Sequence, residues 1–226
     1  MQVTTRTDLS AKSRTPLSRE RVLRAALVLA DRDEIESLSM RKLGQELHVE
    51  AMSLYNHVAN KGDLLDGLVD LVFAEIALPA DRADWKTAMR QRAISARDAL
   101  LRHPWAISLM QSRSKPGPAT LRHHDWVIGN LRAAGFTIDM AAHAFAVLDG
   151  YIYGFALQQI NLPYHTSQEG AAVAEHLLRQ LLAEEYPHLA EMITEHALKP
   201  DYDYAKEFEF GLDLILDGLQ RLRDAA

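Results

Sequence analysis

The chain has 226 residues, of which 48% are hydrophobic and 25% are charged, and this composition is typical of a globular protein with a sizeable core. It contains no cysteine, which excludes disulfides, thiolate metal sites and cysteine nucleophiles. The formal net charge is −6, but residues 1–61 carry 10 Lys and Arg against 8 Asp and Glu, so the acidic excess lies in the rest of the chain.

Neither a membrane span nor a secretory signal is predicted. No run of 18 uncharged apolar residues is present, and a membrane-spanning helix needs about 20. Residues 1–16 lack the apolar segment of a secretory signal. Together with the missing cysteines, these features predict a protein of the bacterial cytoplasm.

The amino-terminal 17 residues are polar and include Arg6, Lys12 and Arg14, which predicts a flexible basic arm. Ser18 is a suitable N-cap for a first helix that runs to about residue 30. The inward stripe of this helix consists of apolar residues at helical spacing: Val22, Ala25, Ala26 and Leu29. We therefore place the start of the first folded domain at residue 18.

The next stretch, residues 39–61, reads SMRKLGQELHVEAMSLYNHVANK and predicts two short helices joined by a tight turn. The first helix covers residues 40–47, the turn residues 48–50, and the second helix residues 51–57. The residues of this stretch that are expected to face inward are Met40, Leu43 and Leu47 in the first helix, followed by Leu54 and Val58. Most of the second helix is left with a polar outward face. This plan is typical of a helix-turn-helix, whose second helix lies in the DNA major groove.

The same residues resemble the DNA-binding signature of the TetR family of bacterial repressors. The resemblance rests on L-S-M-R-K-L-G-Q-E-L-x-V followed by S-L-Y-N-H-V-A-N-K-G-D-L-L, and it covers roughly residues 18–76. One residue departs from the family pattern, because His48 stands where the family usually has glycine. Histidine is among the residues that also adopt the left-handed conformation expected there.

The resemblance implies which side chains contact DNA. Tyr55 and His57 are expected to reach the DNA backbone, with Ser53 and Asn56 nearer the base edges. At the first turn of the following helix, Lys61 is expected to bind a phosphate, because free backbone N–H groups and the helix dipole already attract anions there. Its expected companion is Arg41. A merely solvated helix face is the other interpretation, and the basic arm could either contact DNA or remain loose.

The remaining chain shows helical patterns and no strand signal, so the predicted fold class is all-α. A connector helix over residues 61–77 is apolar around most of its girth, which is typical of a helix buried between partners. Further helices are predicted near residues 84–102, 104–111, 118–134, 138–160, 168–185 and 203–223, separated by proline and glycine signals. The predicted domains are a helix-turn-helix over 18–62 and an effector-binding and dimerisation domain over 63–226.

Two predicted helices are candidates for a subunit interface. The helix over 138–160 carries Gly150 and Gly154, and small residues four apart allow close helix approach. The C-terminal helix has an apolar stripe wider than one covering partner needs: Phe208, Phe210, Leu212, Leu214, Ile215, Leu216, Leu219 and Leu222. Burial within one chain explains the stripe almost as well. The family resemblance implies a homodimer held by a four-helix bundle.

Neither a catalytic nor a metal site is predicted. The single E-x-x-H spacing, Glu185 to His188, is interrupted by Pro187, and the sequence has no H-E-x-x-H, G-x-S-x-G, P-loop or G-x-G-x-x-G motif. We therefore expect no cofactor and no enzymatic activity. The alternative is an all-helical ligand-binding protein or enzyme whose amino-terminal domain does not read DNA.

The segments R-A-A-G-F-T and D-G-Y-I-Y-G-F-A-L-Q are similar to the tetracycline-responsive branch of the family. The histidine and glutamate that hold magnesium in that branch align with Met110 and Gln158, which are poor ligands for a hard cation. We therefore expect a mainly apolar, metal-free effector near Met110, His124, Phe145, Tyr151 and Gln158, with Asp149 as a further polar anchor. Each aromatic residue taken alone is more often a core residue. The overall prediction is a homodimeric repressor released from a palindromic operator by a small molecule.

Overall fold

The computed structural model describes residues 16–80, 84–113, 115–181 and 185–225. Within these ranges the chain is helical and contains no strand, which confirms the predicted all-α class. The helices are α1 (Arg19–Asp33), α2 (Met40–Leu47), α3 (Ala51–Leu54), α4 (Lys61–Glu75), α5 (Trp85–Arg102), α6 (Ala106–Ser112), α7 (Pro118–Ala133), α8 (Ile138–Ile160), α9 (Ser167–Gln180), α10 (Pro187–Met192) and α11 (Tyr204–Asp224). A 3₁₀ turn covers Ile35–Ser37 and a π-helical turn covers Ile193–Ala197.

Two compact units make up the chain, Met1–Leu64 and Leu65–Ala226, and the division falls inside α4. In the amino-terminal unit, α1 packs on α2 and α2 packs on α3. Most of the apolar residues expected to point inward are buried: Val22, Ala26, Leu29, Leu43, Leu47, Leu54 and Val58. Ala25 and Met40, expected on the same stripes, are only partly buried, and Leu23, Ile35 and Leu38 join the core instead. Most of the predicted basic arm, residues 1–15, lies outside the described residues.

Two predicted helices end earlier than their sequence pattern indicates. The helix expected over 51–57 stops at Leu54, and a tight turn follows in which the N–H groups of His57 and Val58 both bond the Leu54 carbonyl. The helix expected over 168–185 stops at Gln180. The sequence predicted no helix at 187–197, where α10 and the π-helical turn lie. Pro187 marked a break in the sequence, but it stands at the first turn of α10, where proline is well tolerated.

The carboxyl-terminal unit is built around α8, which packs against α5, α7 and α11. Helix α8 is long and apolar enough to cross a membrane by length and composition, with a mean hydropathy of 1.3 over an 18-residue window. Of that window, 39% is buried inside the unit. A helix at the centre of a packed bundle has the same composition, so the hydropathy alone is weak evidence for a membrane.

Candidate DNA-binding surface and effector pocket

The turn between α2 and α3 depends on His48. Its backbone is left-handed, with φ 56° and ψ 43°, and its N–H bonds the carbonyls of Gln45 and Gly44. The left-handed C-cap predicted at this position is therefore confirmed. The N–H of Val49 bonds the Gly44 carbonyl at 2.9 Å, which completes the reversal of the chain.

Gly44 allows the two short helices to approach closely. A Cβ at this position would lie 2.9 Å from the carbonyl oxygen of Val49 and 3.2 Å from the backbone N of Ala51. Because both contacts are to backbone atoms, no side-chain rotation could relieve them. The spacing of α2 and α3 therefore requires glycine here, although the sequence pattern singled out only the position of His48.

The outward face after α2 consists of the residues predicted to contact DNA. Leu54 is fully buried, which turns Tyr55 and Asn56 to solvent, and 44% of Tyr55 is exposed. Ser53 and His57 are partly exposed. The most exposed side chain of α3, however, is Met52 at 75%, to which sequence reasoning assigned no role. The sequence did contain a signal: because Leu54 already occupies the buried position of this short helix, the apolar residue Met52 had to be exposed.

Two exposed cations flank this face. Arg41 lies in the first turn of α2 and Lys61 is the first residue of α4. The start of α4 is capped in both directions: Asn60 Oδ1 accepts from the Asp63 N–H at 2.9 Å, and Asp63 Oδ2 accepts from the Ala59 N–H at 2.8 Å. This cap fixes the first turn of α4, where Lys61 is placed.

Arg19 connects three segments of the amino-terminal unit, and the sequence did not reveal it. Its guanidinium donates two hydrogen bonds to the carboxylate of Asp63, at 2.8 and 2.7 Å, and a third to the carbonyl of His57 at 3.1 Å. The start of α1 is thus tied to the end of the candidate DNA-binding face. The partners lie 38 and 44 residues away, so no local pattern could indicate them.

The carboxyl-terminal unit contains a cavity of about 340 Å³ whose wall includes Met110, His124 and Phe145. Three of the five residues predicted to bind the effector therefore share one cavity. Asp149, named from the sequence as a polar anchor, lines it too, together with Tyr153. We refer to this cavity as the effector pocket.

His124 lies between two phenyl rings in the effector pocket. Its imidazole meets the ring of Phe73 edge-on at 5.5 Å and that of Phe145 at 5.3 Å. Burial is the main cause that lowers the pKa of His124, with Arg92 adding to it and Asp149 opposing it. A neutral imidazole can both donate and accept a hydrogen bond, so it offers a polar group on an aromatic wall.

A buried ion pair supports the polar end of the pocket. Arg92 is 1% exposed and donates through Nη2 to Asp149 Oδ1 at 2.7 Å and through Nε to His123 Nε2 at 2.9 Å. Burial, with the Arg92 and His124 charges, lowers the pKa of His123 to about 2. His123 is therefore neutral and accepts through Nε2. Burial and the Asp149 carboxylate raise the pKa of Tyr153, so its hydroxyl stays protonated as a donor to Asp149.

The other two predicted effector residues lie elsewhere. Tyr151 Oη donates to the Phe208 carbonyl at 3.0 Å, and its ring stacks on that of Phe208 at 5.4 Å. Gln158 Oε1 accepts from Tyr204 Oη at 3.1 Å. The sequence placed Tyr151 and Gln158 in one pocket with Phe145, but they lie six and thirteen positions further along the helix, so they are turned from Phe145 by about 240° and about 220°. Both therefore face α11 instead.

Comparison with known proteins gives consistent matches over nearly the whole chain. Residues 78–223 match the family described as tetracyclin repressor-like, C-terminal domain. The HTH-type transcriptional repressor DrrR1 of Streptomyces coeruleorubidus is 35% identical over 215 residues, covering 91% of this chain and 78% of that protein. Tetracycline repressor protein class G of Vibrio anguillarum is 30% identical over 214 residues, covering 93% and 97%. The structure of the Streptomyces coelicolor protein ActR in complex with actinorhodin aligns with a TM-score of 0.75 and 28% identity, covering 92% and 99%.

Proposed function

The chain belongs to the TetR family of ligand-responsive transcriptional repressors, and from this premise we propose that it binds a palindromic operator as a homodimer and is released by a small molecule. The observation that carries the proposal is the exposed face at Tyr55 and Asn56, with the exposed cations Arg41 and Lys61 in the helices that precede and follow it. Side chains of this kind bind phosphates and base edges. The protein acts in the cytoplasm, where its operator is found, and needs neither a cofactor nor catalysis.

The homodimer is supported by apolar surface on α8 and α11. Val147 and Leu157 are exposed on α8, and Phe210 and Leu214 are exposed on α11. A Cβ on Gly150 or on Gly154 would meet nothing within 4 Å, so the α8 backbone is open to close approach on this side. A second copy of the chain would cover this surface with its own α8 and α11, because a two-fold interface pairs the same patch of both subunits. Two helix-turn-helix units could then dock on two half-sites of a palindrome.

The effector that fits the pocket is mainly apolar and aromatic, with one polar end. Phe73, Phe145 and Met110 provide the apolar wall, and His124 and Asp149 provide hydrogen-bonding groups. The likeness to ActR, which binds actinorhodin, supports an aromatic ligand. Among the described residues no group of three or more metal-ligating side chains is present, and the proposed effector carries no metal.

Helix α4 provides a physical route for release. It begins at Lys61, a proposed phosphate contact, and it also supplies Asp66, Val69 and Phe73 to the pocket wall. An effector that binds better to one position of α4 shifts the population toward that position. If that position separates the two DNA-binding units by the wrong distance, operator affinity falls by the same coupling free energy.

Operator binding is tested by gel retardation with the DNA upstream of the gene. We expect specific retardation that weakens steeply as salt increases, because phosphate contacts release counterions. Tyr55→Ala should abolish retardation without changing the thermal unfolding curve, since the side chain is exposed. Tyr55→Phe removes only the hydroxyl, so it shows whether the hydroxyl or the ring makes the contact with DNA. Absence of retardation by the wild-type chain would favour the alternative, a helical ligand-binding protein that does not read DNA.

Effector binding is tested by isothermal titration with tetracycline, with and without magnesium, and with planar aromatic ligands that bind no metal. We expect the metal-free ligands to bind and to reverse gel retardation. Phe145→Ala should blunt this reversal while leaving operator binding intact, because it widens only the pocket wall. Tight magnesium-dependent binding of tetracycline would contradict the metal-free proposal.

A further inference from the structure

A second cavity, of about 480 Å³, lies in the carboxyl-terminal unit and shares no lining residue with the effector pocket. Its wall is formed by the end of α8, the segment that leads into α9, and the start of α11. The volume is within the range of small-molecule sites, which is about 300–1,000 Å³. Nothing proposed above assigns a role to this cavity, which we call the tyrosine cavity.

Three tyrosines line the tyrosine cavity, and each is held in place by its surroundings. Tyr204 stacks on Phe155 at 5.0 Å. Tyr202 meets the imidazole of His196 edge-on at 4.9 Å. Tyr164 covers Gly170 so closely that a Cβ there would lie 2.9 Å from the ring. The three rings are therefore a preorganised aromatic wall, and the faces of aromatic rings attract cations.

The electrostatics of the tyrosine cavity favour a cation. Asp203 lines it, and the described lining residues include one histidine, His165, but neither lysine nor arginine. The nearby guanidinium of Arg97 is already engaged, because it pairs with Asp98 at 2.9 Å, donates to the Ala205 carbonyl at 3.2 Å and lies over the ring of Phe208. The wall therefore combines a carboxylate with aromatic rings.

The tyrosine hydroxyls remain neutral. Burial is the main cause that raises the pKa of Tyr164, Tyr202 and Tyr204. The Asp203 carboxylate raises the pKa of Tyr164 and Tyr202 further, and the Glu207 carboxylate raises that of Tyr202 and Tyr204. The acidic surroundings that oppose a phenolate stabilise a positive charge by the same interaction. A cation in the cavity would thus meet neutral phenols and the carboxylate of Asp203.

An unpartnered acceptor points independently to a ligand. Gln159 lines the tyrosine cavity, and its Oε1 is buried with no hydrogen-bond donor in the described part of the chain. A buried acceptor without a partner costs about 1–3 kcal/mol, so such atoms are uncommon. An N–H group of a bound molecule would satisfy it.

We propose that the tyrosine cavity binds a protonated organic amine, with its ammonium group enclosed by Tyr164, Tyr202 and Tyr204 and its N–H groups shared between Asp203 and Gln159. The site is separate from the effector pocket and does not depend on whether the chain reads DNA. Because Phe145 and Gln159 both belong to α8, a ligand in either cavity contacts the same helix.

The experiment uses benzylammonium chloride and its neutral analogue benzyl alcohol, titrated into the full chain by calorimetry, with ¹H–¹⁵N NMR to locate the site. We expect millimolar or tighter binding of the cation, much weaker binding of the alcohol, and shifts confined to residues near 159–170 and 202–205. Asp203→Asn removes the charge but keeps a good N-cap for α11, and it should weaken benzylammonium binding about tenfold.

Asp125→Asn is the matched control, because Asp125 is an exposed carboxylate on α7 that lines neither cavity, and it should leave benzylammonium affinity unchanged. The proposal is overturned if the cation does not bind at millimolar concentration, or if the alcohol binds equally well. It is also overturned if the NMR shifts map to the effector pocket, or if Asp203→Asn binds the cation as the wild type does. None of these outcomes bears on operator binding, so the two proposals fail separately.

Discussion

At the scale of single residues, buried polar side chains hold the polar end of the effector pocket in place. Arg92 is removed from water, and its charge is compensated by Asp149, with His123 as a further acceptor. Nη1 of Arg92 and Nδ1 of His123 have no protein partner among the described residues. Removing one member of a buried ion pair costs about 3–5 kcal/mol, because the other charge is left unpaired. Replacing Asp149 should therefore destabilise the fold as well as remove the carboxylate at the polar end of the pocket.

Stability should fall in mild acid because His123 is buried as the neutral imidazole. Its pKa is about 2 in the folded chain against a usual 6.5, so below about pH 6.5 the unfolded chain binds a proton that the folded chain does not. The free energy of unfolding therefore decreases as pH falls, by at most about 1.4 kcal/mol per pH unit for this residue. Burial lowers the pKa of His124 as well, so its effect has the same sign.

Chemical denaturation at several values between pH 5 and 7 measures this loss. His123→Gln keeps an acceptor for Arg92 but does not titrate, so its stability should depend less steeply on pH. Equal slopes for the variant and the wild type would show that His123 is not the group responsible.

Lys61 should contribute phosphate affinity without sequence preference. Its place in the first turn of α4 adds an ammonium group to a helix end that already attracts anions. Lys61→Ala should weaken binding to all DNA sequences alike and reduce the salt slope of log K by about one. Gel-shift titrations at several salt concentrations measure both effects.

Arg24→Ala is the control for this measurement. Arg24 is exposed on α1 and paired with Glu20, so it should leave the salt slope unchanged. A loss at Lys61 confined to one operator variant would argue against a phosphate contact and in favour of base reading.

At the scale of elements, α2 and α3 are positioned by two residues with opposite requirements. Gly44 must lack a side chain, whereas His48 has one in a conformation that favours glycine. We expect His48→Gly to raise the free energy of unfolding by up to about 1 kcal/mol, because the left-handed strain disappears. Gly44→Ala should lower it by about 1–3 kcal/mol, because its Cβ would meet backbone atoms.

Urea denaturation checks both substitutions, and gel retardation should show weaker operator binding only for Gly44→Ala. A neutral Gly44→Ala would mean that the approach of α2 to α3 does not depend on this glycine.

Helix α8 lines the effector pocket with one face and packs against α11 with another. Phe145, Asp149 and Tyr153 follow each other at intervals of four and line the effector pocket. Tyr151 and Phe155 lie against α11, where they contact Phe208. One helix thus separates the pocket from the packing surface because its residues advance by about 100° each.

At the scale of the whole molecule, the charge is divided in a way that suits a DNA-binding protein. Residues 1–61 carry a net charge of +2, while the whole chain carries −6. This excess comes from residues 1–15, which hold three basic residues and one acidic residue, whereas the acidic remainder of the chain disfavours nonspecific adhesion to nucleic acid.

Dimerisation should be lost when charge is placed on the exposed α11 face. Leu214 is 57% exposed, so Leu214→Glu is harmless to a monomer but buries two carboxylates in a two-fold interface. We expect sedimentation equilibrium to show a monomer, with operator affinity much reduced because only one half-site is bound.

Leu121→Glu is the matched control, because Leu121 on α7 is equally exposed, at 55%, but lies outside α8 and α11. It should remain dimeric and bind the operator normally. A dimer that survives Leu214→Glu would place the subunit interface on another surface.

The sequence by itself determined the helical class, most helix positions and the plan of the DNA-binding unit. These features depend on interactions between residues close in the chain. Ser18 and Ser39 cap helices through their own side chains, Leu54 sets which face of its helix is buried, and His48 takes the left-handed turn. Periodicity and caps are local, so they can be recognised before any tertiary contact is known.

Only the tertiary structure decided which side chains meet across the chain. The Arg92–Asp149 pair spans 57 residues and the Arg19–Asp63 pair spans 44, and neither has a local signature. Helix periodicity alone separates Tyr151 and Gln158 from Phe145, but only the packing decided which of these faces meets α11 and which lines the effector pocket. The helical stretch at 187–197 and the tyrosine cavity likewise follow from packing. Burial and long-range pairing are settled by the whole fold, because their free energy comes from contacts between elements distant in sequence.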